Sequence, residues 1–417
     1  MWLAVAFGHH CAMPTIGLVL PTSSYRASDF VAAAYELNVD LVVASDASLG
    51  IVSGRILEVV TVDCADPGAV AEALVEASVT HPLDAIVGVD DAGVVAAALA
   101  AERLGLPHND PSAVAATRDK LEMRRRLADG GVPQPRFGEL TTDGSPAAIA
   151  ASVGYPLVVK PVSLSGSRGV IRADDEVGLE AAVSRIRAIQ VEAGIEQEVL
   201  LLEEYLEGPE IAIEGLVSAV GLEVFAVFDK PDPLEGPFFE ETLYVTPSRH
   251  QGSLLAEAGD VVEEAIRALG LVFGPIHAEV RLTPEGPRII EIAARSIGGL
   301  CGRSLKFGML AQSLEVQLLR AALGLNRRGM RVIGQASGAM MIPIPDDGVF
   351  RGVGGRAAVA EVEGIEEITI TIPLGRRIRR LPEADRYLGF IIARGASPDD
   401  VEASLREAHG LLSIEIE

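Results

Sequence analysis

The chain has 417 residues, of which 49% are hydrophobic and 23% charged, so it can bury a sizeable core and is not a disordered or low-complexity chain. Its formal charge of −24, from 59 acidic and 35 basic residues, repels a phosphate backbone and argues against a nucleic-acid binder, although a small polyanion needs only a local basic pocket. No stretch approaches the roughly 18 apolar residues of a membrane span, so no membrane partner is expected.

Length suggests about three domains. Cys11, Cys64 and Cys301 show no CxxC spacing and no even-numbered framework, so reduced thiols in a cytoplasmic protein are expected. The opening Met1-Trp2-Leu3-Ala4-Val5-Ala6-Phe7 lacks a basic flank and is interrupted by Gly8-His9-His10, so a signal peptide is not expected. Met13, just ahead of an apolar strand, is an alternative start.

In chain order, strands are expected at 16–20, 40–44, 56–62 and 85–89, with helices at 28–37, 68–78 and 93–104 between them. This alternation predicts an α/β, Rossmann-like doubly wound parallel sheet over residues 1–115, without the GxGxxG fingerprint after its first strand. A break at Leu106–Pro111 leads to a basic helix, 117–128, and a second α+β body, 116–330, with a lobe over about 155–206. Strands are expected there at 155–161, 199–205, 210–217, 222–228, 277–282 and 287–292, with helices at 176–193, 254–269 and 313–323. Beyond Gly324 the texture turns β-rich, with strands at 336–344, 357–362, 367–371, 388–393 and 412–416 and a helix at 398–408, read as a small α+β domain over 331–417.

Three elements carry chemistry. Lys160 ends a strand and opens a loop of small residues, Ser163-Leu164-Ser165-Gly166-Ser167-Arg168-Gly169, which can place a cation and backbone N–H groups around phosphates; a plain exposed hairpin is the other reading. The apolar strand ending in Glu203-Glu204-Tyr205-Leu206-Glu207-Gly208-Pro209-Glu210 offers backbone groups to a base edge and carboxylates to a ribose; an ordinary capped strand end is the alternative. Glu279 and Glu291 lie inside apolar strands, where a carboxylate is costly unless paired or metal-bound. The turn Thr283-Pro284-Glu285-Gly286 permits antiparallel pairing that puts both on one face as hard oxygen ligands for Mg²⁺, against a buried ion pair with Arg281 or Arg295. Arg295, beside the Gly298-Gly299 turn, is an anion site or a turn-shaping residue. Glu240 and Glu241, in a Pro-rich aromatic segment, can receive an ammonium group or lie in a surface loop, and His277 lines the pocket or is structural.

Taken in order, Arg118-Asp119-Lys120, Lys160 with its loop, Glu203 to Glu210, and Glu279 with Glu291…Arg295 resemble the ATP-grasp signature over about 118–323. The chain is most similar to the L-amino-acid (dipeptide) ligase branch, whose extra domain is matched by Leu388-Gly389-Phe390-Ile391 and Ala408-His409-Gly410-Leu411. The resemblance implies an ATP- and Mg²⁺-dependent ligase that activates a carboxylate as an acyl phosphate and joins it to an amine, both small molecules. It implies that Lys120 and Lys160 contact ATP phosphates under a loop including Ser163, Gly166, Ser167 and Gly169. Glu203, Glu204 and Leu206 would read adenine, Glu210 would hold the ribose, and Glu279 and Glu291 would bind Mg²⁺. Arg295 would meet the reacting carboxylate. Many members carry Asn where this chain has Ala293, which bears on the number of Mg²⁺ ions. Homodimers are common in the family. The alternatives are a purine-pathway or carboxylase-like ATP-grasp ligase, or a silent nucleotide-binding regulator.

Overall fold

The computed structural model describes residues 13–48, 54–325 and 334–417. The readings placed on residues 1–12, including Cys11, lie outside them, as does the 331–333 boundary. The chain forms two compact units, Met1–Pro107 with Glu315–Arg327, and His108–Leu314 with Arg328–Glu417.

In the first unit β1 (Thr15–Val19), β2 (Asp40–Ser45), β3 (Ile56–Thr61) and β4 (Ala85–Gly88) form a parallel sheet in the order β3-β2-β1-β4. Strands β1 and β2 are buried along their whole length, which is why they read as unbroken Val/Ile/Leu runs. Helix α1 (Ala27–Leu37) connects β1 to β2, α2 (Pro67–Thr80) connects β3 to β4, and α3 (Val94–Leu104) follows β4. Asp66 caps α2 by accepting from the Gly68 and Ala69 N–H groups, with Pro67 at the first helical position. A buried Arg26–Glu315 pair at 2.6 Å ties the later segment to this unit.

The second unit opens with α4 (Pro111–Ala116) and α5 (Lys120–Asp129). The helix expected from Thr117 starts instead at Lys120, because the Asp119 carboxylate accepts from the Leu121 and Glu122 N–H groups and so defines the first turn. A small lobe follows: β5 (Phe137–Leu140), α6 (Pro146–Val153), β6 (Leu157–Pro161), β7 (Ile171–Ala173), α7 (Glu176–Ala193) and β8 (Leu200–Glu204), with strands ordered β5-β8-β6-β7. Both helices of the lobe pack onto this sheet through Ala150, Val153, Leu179, Ala182 and Ile186.

The large lobe contains β9 (Glu210–Ser218), β10 (Gly221–Lys230), β11 (Leu243–Thr246), α8 (Ser253–Leu269), β12 (Gly274–Thr283), β13 (Gly286–Ala293) and α9 (Arg303–Gly308), whereas α10 (Leu314–Ala322) belongs with the first unit from Glu315 on. The last stretch adds β14 (Ala336–Ile342), β15 (Gly348–Gly354), α11 (Arg356–Ala360), β16 (Ile365–Ile370), β17 (Arg377–Ile378), β18 (Gly389–Gly395), α12 (Pro398–Gly410) and β19 (Ser413–Ile416). Strands β14, β18 and β16 continue the large-lobe sheet, which runs β13-β12-β9-β10-β11-β14-β18-β16. The segment 357–362, expected as a strand, instead contains α11. Its Ala-rich run follows Gly355 at φ +83° and buries Val359 in the C-terminal core.

At the lobe junction Gly208 has φ +121°, and a Cβ there would stand 2.1 Å from the Leu282 carbonyl oxygen. The Gly-Pro turn after β8 therefore requires glycine for both its backbone conformation and its close approach to β12. Gly208→Ala is expected to cost at least about 1–3 kcal/mol in denaturant unfolding; a change within error would show that the turn shifts freely.

Candidate active site

Antiparallel pairing of β6 with β8 sets Lys160 opposite Leu201 and Val158 opposite Glu203, so Lys160 and Glu203 are diagonal neighbours on one face. The Lys160 Nζ lies 2.5 Å from Glu203 Oε2, and Arg124 Nε donates to Glu203 Oε1 at 2.7 Å. All three side chains are buried. Burial alone would raise the Glu203 carboxyl, but Arg124 and Lys160 hold it below the usual range. The Lys160 ammonium is pushed down by burial, helped by Arg124 and Lys120 and opposed by Glu203.

Lys120, the first residue of α5, donates from Nζ to the Leu164 carbonyl at 2.8 Å and stands 3.3 Å from Glu291 Oε2. One side chain thus joins the glycine-rich loop to a strand glutamate 171 positions further along the chain, the difference between 291 and 120. In that loop Gly166, Ser167 and Gly169 take φ of 65°, 57° and 73°. These positive φ values fold the loop back tightly, and its Arg168, Gly169 and Val170 N–H groups donate to the Ser165, Pro382 and Ser167 carbonyls. With Lys120, Lys160 and Arg124 set against Glu203 and Glu291, this pole holds three cations to two carboxylates and suits a polyanion.

Glu279 and Glu291 face each other directly across the β12–β13 ladder, with a bulge immediately after Glu279. The expected turn and pairing are present. Neither arginine of the ion-pair alternative is seen on these glutamates: Arg281 binds Glu210 at 2.8 Å, and Arg295 NH1 donates to the Ser296 carbonyl at 3.0 Å. Glu279 instead lies 3.1 Å from Lys230 Nζ and 3.4 Å from His277 Nε2. Burial would raise its carboxyl, but Lys230 and His277 hold it well below the ordinary range. Oxygen-only donors suit a hard cation such as Mg²⁺, and the residues present fit one.

Lys230 was missed by sequence reasoning. It ends β10, and its Nζ contacts Glu210 at 2.6 Å, Glu279, and Glu241, over the Tyr244 ring at 5.2 Å from the centroid. Its ammonium is held well above its ordinary value: burial opposes the charge, and the three carboxylates outweigh it. The available signal was a lysine inside an otherwise apolar strand end, Phe228-Asp229-Lys230, ahead of Pro231. Donor oxygens of Glu210, Glu241 and Glu279 lie within 4.8 Å of one another, a second grouping with metal-ligand spacing. Lys230 sits among them, and in the facing pair Glu279 carries the same lysine while Glu291 carries Lys120, so each grouping is partly neutralised by an ammonium. Burial lifts the Glu241 carboxyl to about 7, with Glu279 and Glu210 adding to it and Lys230 opposing. Burial alone raises Glu240.

His277 is clasped at Nδ1 by Glu214, whose other oxygen accepts from the Ile297 N–H at 2.9 Å. Its imidazole rises to about 9, burial being outweighed by Glu214 and Glu279. Glu214 was not anticipated; it lies on β9, opposite His277 in register. The second pole carries Glu210, Glu214, Glu241 and Glu279 against Lys230, Arg281 and His277, a balance that suits an incoming cation or ammonium.

Three expected residues are engaged by protein partners. The Ser163 hydroxyl donates to Glu198 at 2.8 Å, Glu204 pairs with Arg136 at 3.2 Å, and the Glu210 carboxylate is taken up by Lys230 and Arg281. Leu206 is buried at the strand end. The Gly169 N–H donates to the Pro382 carbonyl at 2.9 Å, and Arg185 forks onto Glu383 at 2.6 and 2.9 Å, so the loop and its lobe rest on the C-terminal stretch.

Known proteins give this arrangement its context. Sequence families described as ATP-grasp N-terminal domain, ATP-grasp domain, and L-amino acid ligase C-terminal domain 2 match residues 31–108, 153–304 and 340–417. The solved L-amino acid ligase from Bacillus licheniformis superposes with a TM-score of 0.81 at 25% identity, over 97% of this chain and 99% of that one. Alanine–anticapsin ligase of Bacillus subtilis (strain 168) is 28% identical over 247 residues, 55% of this chain and 52% of its own length, so the chain spans about half of that relative. D-alanine–D-alanine ligase of Janthinobacterium is 26% identical over 246 residues, 54% of this chain and 74% of that protein. Three domain matches in family order, with a shared fold along nearly the whole chain, make this protein an ATP-grasp ligase close to the L-amino-acid ligase branch, an ADP-forming C–N ligase that uses ATP with Mg²⁺.

Proposed function

We propose that the protein condenses two amino acids into an amide, with the basic pole receiving ATP phosphates and the acidic pole the ammonium of one substrate. The observation that carries this reading is the Lys120 bridge from the glycine-rich loop to Glu291, which gathers phosphate and metal elements from remote segments at one point. Glu279 and Glu291 would hold Mg²⁺, which would neutralise phosphate charge.

In this reading a substrate carboxylate, oriented by Arg295, attacks the γ-phosphorus; the bond to the bridging oxygen breaks and ADP leaves. The amine of the second amino acid then attacks the acyl carbon, inorganic phosphate leaves, and the amine nitrogen loses its proton. Lys120, Lys160 and Arg295 would contribute by positioning and by neutralising charge on the transferred oxygens. Closure of the Ser163–Gly169 loop would keep water from the acyl phosphate. The match of residues 340–417 to an L-amino acid ligase domain favours amino acids over purine-pathway or bicarbonate substrates.

The buried free thiols Cys64 and Cys301 support a reducing, cytoplasmic setting. A homodimer rests on the family resemblance and is checked by sedimentation. The deciding experiment measures phosphate release from ATP and Mg²⁺ with amino acids singly and in pairs, and mass spectrometry of the product. Pair-dependent release with a condensed product establishes the reading; no release with any pair, despite ATP binding, defeats it.

A further inference from the structure

Tyr387, in the C-terminal stretch, carries a hydroxyl that is fully buried and finds no hydrogen-bond partner among the described residues. A buried hydroxyl without a partner is uncommon, and at a binding site it marks a place where a ligand supplies one. Both its ring and its backbone are held. It packs edge-on against Phe390 with centroids 6.3 Å apart, and the Tyr387 carbonyl accepts from Thr371 Oγ1 at 3.3 Å.

Phe390 in turn lies against the turn that follows Arg295. Gly299 there has φ +60°, and a Cβ on it would meet the Phe390 ring at 2.6 Å. The Tyr387–Phe390 pair therefore forms a wall beside the Arg295–Gly302 segment. Backbone ladders set this wall beside the acidic residues: Met341 pairs with Phe390 on one side and donates its N–H to the Thr242 carbonyl, next to Glu241, at 2.8 Å on the other. Burial, then Glu241, Cys301 and Glu240, hold the phenol well above its ordinary value, against Lys230. A neutral phenol thus stands in the field of the acidic pole, and a neutral phenol oxygen can accept as well as donate.

We propose that Tyr387 Oη is a positioning contact for the ammonium of the α-amino acid whose carboxylate is activated, accepting one N–H while Glu240 and Glu241 take the others. This rests on the reading of the site as an amino-acid ligase and adds a substrate contact from outside the ATP-grasp elements. It makes the C-terminal stretch part of the specificity machinery, choosing α-amino acids over carboxylic acids that lack the ammonium.

The test is Tyr387→Phe, which removes only the oxygen and keeps the ring on Phe390. The KM for the activated amino acid should rise about 10- to 100-fold, the range for losing one hydrogen bond to a charged group. The KM for ATP and the thermal midpoint should stay near wild type. Preference for the amino acid over its des-amino carboxylic acid, followed as acid-dependent phosphate release, should fall by the same factor. An unchanged KM and preference would overturn the assignment while leaving the ligase reading intact. Equal losses for ATP, amino acid and des-amino acid with a lowered midpoint would make Tyr387 merely structural. A wild-type enzyme with no amino-acid dependence would remove the ligase reading, and this inference with it.

Discussion

Glu291→Ala is expected to lower ATP turnover by about 10²–10³-fold, the cost of removing one group that stabilises transferred charge, with little change in stability. The side chain is half-buried on β13, and its protein partner is Lys120 at 3.3 Å, which keeps the Leu164 carbonyl when the carboxylate is lost. Lys160→Ala should cost similar activity but also stability, because Lys160 is buried against Glu203 at 2.5 Å and its loss leaves that carboxylate to Arg124 alone. Phosphate release and thermal unfolding, measured on both variants, separate the two effects. Near-normal turnover in Glu291→Ala would sink the assignment of this glutamate.

The largest stability effect should come from Arg124→Met. Arg124 is fully buried and donates to Glu203, to the Ile289 carbonyl at 3.2 Å and to the Ile290 carbonyl at 2.5 Å, binding α5 to β8 and β13 at once. Its removal strands two strand carbonyls and half of the Glu203 pairing. A loss of about 3–5 kcal/mol is expected, the range for breaking a buried ion pair from one side. Adding Glu203→Gln should recover part of that loss, because the uncompensated charge disappears. Denaturant unfolding of the singles and the double checks this; strictly additive losses would mean the two side chains do not act together.

The parts of the site legible in the sequence are those whose chemistry is local. A lysine ending an apolar strand before a glycine-rich loop, and glutamates inside paired strands, signal cost at their own positions, and Lys160, Glu279 and Glu291 were read that way, whereas Lys120 came only with the family resemblance. Arg124 was seen only as one of a run of basic residues on a helix, since nothing nearby in sequence shows that Glu203 lies across from it. Lys230 was hidden for the same reason: its partners Glu210 and Glu279 come from other strands and Glu241 from a loop. Strand boundaries were read within a few residues where apolar runs are long. The run at 357–362 misled because a short apolar stretch has no period long enough to separate helix from strand.

The continuous eight-stranded sheet bears on how such enzymes can be reshaped. Strand β14 shares its backbone ladder with β11, pairing Leu243 to Met340 through Thr246 to Ser337. Cutting the chain after the ATP-grasp portion would not release a smaller ligase; it would strip β11 of its neighbour and present a bare apolar edge to other chains. Exchanging the C-terminal portion between relatives is therefore a graft of hydrogen-bonding register as much as of substrate choice. A chimera that slips the β11–β14 pairing by one residue would turn the β14 side chains, Met340 and Met341 among them, to opposite faces of the sheet, while β11 stays fixed by β10.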